Sequence, residues 1–463
     1  MLERIEQRLN LLKGARDADP RQQNLRATID WSYELLDPEE QQLFRRLSVF
    51  VGGCTYEAAE KICDADPDTL QSLLDKSLLR RRLDEAEQTR YWMLETIREF
   101  AAEYLSTSGE AASIRRHHLE HMASGFGVFE PETTYDRRRL ARIQAELPNA
   151  RVALEHALME REPGLAHRLY MGVFSVWLVR GPTSEGDEWG RRVLSQPSAN
   201  PRSRGEIQAV AGEFARARGD FDRAAQLKRA AIGGLAPLGD DPFLAATHTD
   251  LAYVLDALGD QSAARSQAHE AIDIRRRIGD ARGIALSVHA LGELERGHDR
   301  LSEAMDRFEE VLRLYDEVGG DLVPVWALDS LGDTARRLGD EQRAEEALSD
   351  ALTHAEAMGD KWTTTFAIGH LGQLELGRGA VEQAALLLAT ADRLIEKHEV
   401  YVDPRFVAEI RAALSQARAS LTADRFDQLI ATATLAAASE TPSSFVEAAR
   451  RRDEPPQENV SID

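Results

Sequence analysis

His117, His118 and His121 fall close together, and 117 and 121 stand four apart, the spacing that puts two imidazoles on one face of a helix. Such a pair can share a metal ion. A site needs a third ligand, however, and no carboxylate stands at a diagnostic spacing. The trio reads as a solvated helix face. Cys54 and Cys63 belong to no Cys-x-x-Cys motif and read as small buried apolar residues. No Ser-His-Asp, paired-carboxylate or glycine-loop constellation emerges from the spacing. The chain also has no Gly-Lys dipeptide, so it cannot build the loop that cradles nucleotide phosphates. The expectation is a protein that is not an enzyme, with no catalytic residues, no metal and no cofactor.

The composition narrows the class further. At about 150 residues per domain, 463 residues suggest roughly three domains. The chain is 43% hydrophobic and 29% charged but only 6% aromatic, which favours packed helices over sheets. Two cysteines exclude a disulfide scaffold and a four-cysteine metal site. The longest apolar run, Tyr170 to Val179, is too short to span a bilayer, and Met1 to Glu6 is acidic, unlike a signal peptide. A cytoplasmic protein with no membrane partner is expected. The net charge of −22 opposes broad nucleic-acid binding.

The helices that must position any working surface are announced by a period. Gly219-Asp220, Gly239-Asp240, Gly259-Asp260, Gly279-Asp280, Gly339-Asp340 and Gly359-Asp360 recur at 20 residues or multiples of it. Gly212, Ala252, Gly292, Gly332 and Gly372 are each 40 apart. So are Ala224, Ala264, Ala304, Ala344 and Ala384, and so are Ala231, Ala271, Val311, Ala351 and Ala391. Small side chains let helix backbones approach closely. Each Gly supplies a left-handed C-cap and the Asp after it caps the next helix. The unit is a helical hairpin, helix A carrying the first small position and helix B the other two, that can bury its face only by stacking. The small residues at spacings of 12 and 7, Leu291-Gly292, Leu331-Gly332 and Ala304 to Phe308 resemble the tetratricopeptide repeat. That family's usual unit is 34 residues; here it is 40, with longer helices. An earlier set, Gly172, Ser184 and Arg191, keeps the phase weakly and reads as a degenerate first hairpin, and apolar pairs over 405–420 and 424–437 read as a cap.

Residues 24–105 lack the period. Helices are expected over 25–36, from Pro38 to Phe50 with Asp37 as cap, over 56–63 behind Thr55, and from Asp68 to Lys76. Ser77 to Arg82 and Thr89 to Leu94 form a short hairpin, and Glu95 to Leu105 is helical again, a winged-helix order. Leu25-Arg26-Ala27-Thr28-Ile29-Asp30-Trp31-Ser32-Tyr33-Glu34-Leu35-Leu36, Leu47 to Cys54, Leu74 to Leu78, Met93 to Phe100 and Leu147 to Leu158 resemble the bacterial signal-transduction ATPases with numerous domains. More narrowly, they are similar to antibiotic-regulator-like transcriptional regulators, in which a winged helix and tetratricopeptide repeats follow an NTPase core. The resemblance implies a C-terminal half lacking that core, with an NTPase domain as one partner. The family's nucleotide-sensing Met-His-Asp motif corresponds to Met93, Leu94 and Glu95, and Leu94 cannot hydrogen-bond a phosphate.

The expected fold is mostly α: a winged-helix domain with a small β-hairpin, then an α-solenoid of tetratricopeptide-like hairpins. The expected division is 1–23, the tail of a helical segment; 24–105, the winged helix; 106–200, a helical linker with the degenerate repeat; 201–438, the solenoid and cap; and 439–463, a tail disordered at its end. Helix A residues one and four beyond each small position, with the residue three before, should line a concave face: Glu213, Arg216, Tyr253, Asp256, His289, Glu293, Arg296, Asp329, Asp333, Arg336 and Gln373. Their mixed charge suits a patterned polar peptide or protein, though each could equally form a solvated i, i+3 pair. The expected function is regulatory recognition of such a partner or signal, controlling an NTPase switch in the intact family architecture. The alternative is a DNA-binding regulator using Arg80, Arg81, Arg82 and Arg90 on the hairpin. Against it, the helix that would enter the groove carries Asp68 and Asp75 with one lysine, Lys76.

Overall fold

The computed structural model describes residues 20–84, 87–126, 137–197, 200–319, 323–397, 404–439 and 441–442. The segment before Pro20 and the tail from Arg450 lie outside these residues. The chain divides into two compact units, Met1–Val176 with Trp189–Ser203, and Trp177–Glu188 with Arg204–Asp463.

In the first unit α1 (Pro20–Glu34), α2 (Pro38–Leu47), α3 (Tyr56–Cys63) and α4 (Pro67–Asp75) precede β1 (Arg80–Leu83) and β2 (Thr89–Trp92). The two strands pair antiparallel, with Arg81 opposite Tyr91. α5 (Glu95–Thr107), α6 (Ala111–Gly125) and α7 (Arg137–Met159) follow. Local chemistry sets the helix starts. Asp37 and Glu40 close a capping box, Thr55 accepts from the Ala58 N–H, and Asp66 accepts from Asp68 and Thr69. Tyr33, Phe44, Phe100 and Tyr104 form an aromatic knot, with ring centroids of Tyr33 and Tyr104 4.4 Å apart. Cys54 and Cys63 are buried, and burial pushes the Cys54 thiol up to about 12, so it stays protonated.

A buried polar cluster joins three distant stretches of this unit. Gly53 has φ +75, and a Cβ there would lie 2.6 Å from the Tyr91 carbonyl oxygen, so only glycine fits. The Gly53 carbonyl accepts from Arg90 Nη2 at 2.7 Å and Asn149 Nδ2 at 2.9 Å. The Asn149 amide oxygen accepts from the Gly52 N–H at 3.1 Å, and Glu146 accepts from both Arg90 and Asn149.

α8 (Pro163–Val179) and α9 (Thr183–Ser195) come next. Here the forty-residue phase holds at Gly172, which is buried and where a Cβ would lie 2.6 Å from Phe126, but fails at its other two positions. Ser184 and Arg191 are exposed, while Gly186 makes the close approach, where a Cβ would lie 2.3 Å from the Phe214 ring. The physical cause is bulk: Phe214 and Trp177 need the glycine two residues past the phase position.

From there the hairpins are regular: α10 (Pro201–Ala217) with α11 (Phe221–Leu235), α12 (Pro242–Ala257) with α13 (Gln261–Ile278), and α14 (Ala281–Gly297) with α15 (Leu301–Val318). α16 (Val325–Leu338) with α17 (Glu341–Met358), α18 (Lys361–Gly377) with α19 (Val381–Lys397), and α20 (Pro404–Ala419) with α21 (Ala423–Ala438) complete the stack. Ala224, Ala264, Ala304, Ala344 and Ala384 are buried, as are Ala231, Ala271, Val311, Ala351 and Ala391. A Cβ at Gly292 would lie 2.7 Å from the Phe308 ring, at Gly332 2.6 Å from Leu348, and at Gly372 2.8 Å from Leu388. The recurring small residues thus sit at helix crossings, as the period predicts. Asp220, Asp260, Asp280, Asp340 and Asp360 each cap the helix that follows, but after Gly239-Asp240 it is Asp241 that caps, while Asp240 pairs with Arg277. The missing Gly-Asp of this series is Asp299-Arg300: Asp299 itself takes φ +60 and Arg300 makes no side-chain cap bond.

Candidate functional site

The side chains expected on helix A fall along successive A helices, and six of them pair among themselves. Glu213 and Arg216 pair at 3.0 Å on α10, Glu293 and Arg296 at 2.7 Å on α14, and Asp333 and Arg336 at 2.6 Å on α16. Each is an i, i+3 pair. Asp329 and Asp333 correct the expected concave set: they are buried, held inside by His370, Arg296 and Arg336 rather than presented on an open face. The ladder also crosses between repeats. Arg296 donates to Asp333, the His289 Nε2 lies 3.1 Å from Ser330 Oγ, and His370 Nδ1 lies 3.0 Å from Asp329 Oδ1. Asp256 meets His298 at 2.5 Å.

The electrostatics follow from this pairing. Burial opposes ionisation of Glu213, but Arg216 and Lys228 outweigh it and draw the carboxyl down to about 2. Burial lowers His289 to about 4, leaving a neutral ring 4.4 Å from Trp326. Burial would also lower His370, yet Asp329 and Asp333 together raise it. Tyr253 is pushed up by burial and by Glu293 and Asp250. Gln373 keeps a buried amide oxygen with no hydrogen-bond partner among the described residues. It lines an open hollow of about 480 Å³ with Arg336, Leu376, Gly377, Glu409, Ala412, Ala413 and Gln416, contributed by α16, α18 and α20.

Helix A reasoning alone missed several members. Lys228, on helix B of the first regular hairpin, is 0% exposed, and its Nζ lies 2.6 Å from both Glu213 and Asp250. Its row, Lys228, Ala268, Phe308, Leu348 and Leu388, is otherwise apolar. A lone cation in that row was the available signal. The lysine stem packs on Gly212 where Phe308 and Leu348 fill later crossings, and the ammonium snorkels to the A-helix carboxylates. Ser330 and His370 lie outside the one-and-four rule because they sit two residues before the small position.

On the hairpin the candidates part company. Arg80, Arg81 and Arg82 are exposed, and the guanidinia of Arg80 and Arg82 lie 5.7 and 5.5 Å from the Trp92 ring centre. Arg90 is a correction to the expected set: it is buried, because its guanidinium is drawn in by Glu146 and the Gly53 carbonyl, while Arg82, paired opposite it on the same strand face, stays exposed. The presumed groove helix α4 exposes Asp68, Gln71 and Asp75, and Glu40 of α2 takes the hydroxyl of its Ser72 and the ammonium of Lys76. Of the histidine trio, His117 is exposed and His121 half-buried. His118 is core instead, 5.4 Å edge-on to Phe50, and burial lowers it to about 3. Among the described residues no group of three or more His, Cys, Asp or Glu is arranged to hold a metal, and no helix is long and apolar enough to cross a membrane.

Residues 36–106 match the family model of the winged helix-turn-helix domain. Over 192 residues, 40% of this chain, the sequence is 38% identical to a Mycobacterium tuberculosis protein that bears the provisional name of HTH-type transcriptional regulator. That match spans only 22% of the relative's length. A second Mycobacterium tuberculosis protein, uncharacterized, is 31% identical over 127 residues, 26% of this chain and 32% of its own. Among solved structures, a signal transduction ATPase with numerous domains and a tetratricopeptide repeat sensor from Pyrococcus horikoshii aligns over 96% of this chain and 68% of its own, at 16% identity and a TM-score of 0.45.

Proposed function

We propose that this chain is a regulatory recognition module, without catalysis of its own, whose stacked A helices bind a polar protein or peptide. The working division is the winged helix over 24–105, helices over 106–200 and the binding stack over 201–438. The observation that carries the reading is the ionic ladder Glu293–Arg296–Asp333–Arg336, continuous across two repeats and ending at the hollow that holds Gln373. A helix face that served only for solvation would need no bonds between repeats. Side chains held in register by their neighbours offer a preorganised pattern of donors and acceptors, which lowers the ordering cost of binding. The mixed signs favour a peptide of alternating charge over an anionic polymer. Control of an NTPase switch, a regulatory role in transcription and a cytoplasmic setting belong to this reading through the family resemblance and the relative's name.

The test is selection of a random-peptide phage library on the full chain and, in parallel, on an Arg296→Ala/Arg336→Ala variant. Enrichment of peptides on the native chain that is lost on the variant supports the reading; equal enrichment on both opposes it. The DNA alternative is favoured by the exposed Arg80, Arg81 and Arg82 beside Trp92. Fluorescence anisotropy with a random-sequence duplex at low salt decides it, and robust binding lost on Arg80→Ala/Arg81→Ala/Arg82→Ala would reverse the ranking.

A further inference from the structure

The charged rungs of the A-helix face stop before the hollow. One and four places beyond each small position stand Glu213 with Arg216, Tyr253 with Asp256, Glu293 with Arg296 and Asp333 with Arg336. The next two rungs are Gln373 with Leu376 and Ala413 with Gln416. Neither can close an ion pair on itself, and Gly377, Ala412 and Ala413 are too short to fill the space they line. At about 480 Å³ the hollow falls within the size range of ligand sites. Its polar groups are in different states. Arg336 is already engaged: the Asp333 Oδ1 accepts from its Nε at 3.0 Å and from its Nη2 at 2.6 Å. The Gln373 Oε1 is buried and has no hydrogen-bond partner among the described residues. Glu409 is exposed and forms no hydrogen bond or ion pair among them. The unfilled positions of the hollow are thus acceptors, and one of them carries a negative charge.

Resting on the recognition reading above, we infer that the hollow seats the cationic side chain of an arginine or lysine from a partner peptide. The stem of that side chain lies on Leu376, Ala412 and Ala413, and its head donates to Gln373 Oε1 and to the Glu409 carboxylate. A long basic side chain suits such a site, because its methylenes gain from apolar cover while its head keeps polar partners. A buried acceptor that gains a donor stops opposing the folded form, which favours the complex. An acidic side chain meets Glu409 and finds Arg336 taken. At long range the net charge of −22 draws a basic peptide toward the chain.

Capped tripeptides with Arg, norleucine or Glu at the centre, titrated into the full chain labelled at its alanine methyls, test this by NMR. The Arg peptide should move the Ala412 and Ala413 signals saturably. It should bind at least about fivefold more tightly than the norleucine peptide and lose about that factor on Glu409→Gln, a change at an exposed residue. Gln373→Leu should weaken it in the same sense. Norleucine binding as tightly as Arg, tighter binding of the Glu peptide, or unmoved Ala412 and Ala413 signals would each overturn the inference. The ladder is separable from the hollow. Library peptides that fail on Arg296→Ala/Arg336→Ala but keep their affinity for Glu409→Gln would overturn this inference and leave the recognition reading standing. An Arg peptide that moves those signals while library selection on the native chain enriches nothing would support the hollow and count against the ladder.

Discussion

Single side chains decide how the first unit holds together. Gly52-Gly53, Arg90 and Glu146 with Asn149 are far apart in sequence, and nothing in their spacing announces that they meet. The glycines, the arginine and the asparagine were each visible, but hydrogen bonds between stretches nearly a hundred residues apart leave no periodic trace. Arg90→Ala should cost about 3 kcal/mol and Asn149→Ala about 2 kcal/mol, because each leaves buried partners unsatisfied. Urea titration of the unit's unfolding measures both, and losses below about 0.5 kcal/mol would contradict the role assigned to the cluster. His118 makes a separate prediction. Its folded pKa of about 3 lies below the unfolded value near 6.5. The unfolded chain therefore takes up the proton first, and stability is full above pH 6.5 and falls as pH drops toward 3. Between pH 6.5 and 5 this histidine should remove about 2 kcal/mol. His118→Leu should flatten that slope by the same amount, read by chemical denaturation at the two pH values.

At the scale of helices the sequence was most legible, because a repeat is a physical period: the two helices of each regular hairpin close over the same small position, and most turns use the same Gly-Asp chemistry. The A and B helices, their caps and their crossings follow from rows that can be read by eye. What escaped reading were positions where one repeat solves a packing problem differently. Asp299 stands in for a glycine, Gly186 replaces Ser184 as the close-contact residue, and Lys228 occupies a core row. Gly332→Val should destabilise the stack by about 2 kcal/mol or more, since its side chain would enter the space of Leu348, and Leu348→Ala in the same chain should recover part of the loss. Two independent, additive losses in thermal denaturation would refute the crossing. Lys228→Leu should cost about 1–3 kcal/mol despite matching the apolar row, because Asp250 and Glu213 lose their shared counter-ion. Adding Asp250→Asn should return most of it.

For the molecule as a whole, the sequence indicated a mostly helical chain with a winged helix and a repeat stack, and the structure has those elements. The proposed binding face was legible in its residues but not in its wiring. The rule of one and four places beyond each small residue found Glu293, Arg296, Asp333 and Arg336, whereas the bonds between repeats depend on helix separation, which a row of letters does not contain. Bonds of that kind hold the ladder's side chains in register, and a preorganised ladder is the central physical premise of the proposed recognition role. The most direct measurement is calorimetric titration of a library-selected peptide into the native chain and into Arg296→Ala/Arg336→Ala. The account predicts affinity at least about tenfold weaker in the variant, some 1.4 kcal/mol, with native helix content retained and with Arg80→Ala/Arg81→Ala/Arg82→Ala binding like the native chain. Equal affinity for the native chain and the ladder variant would contradict it.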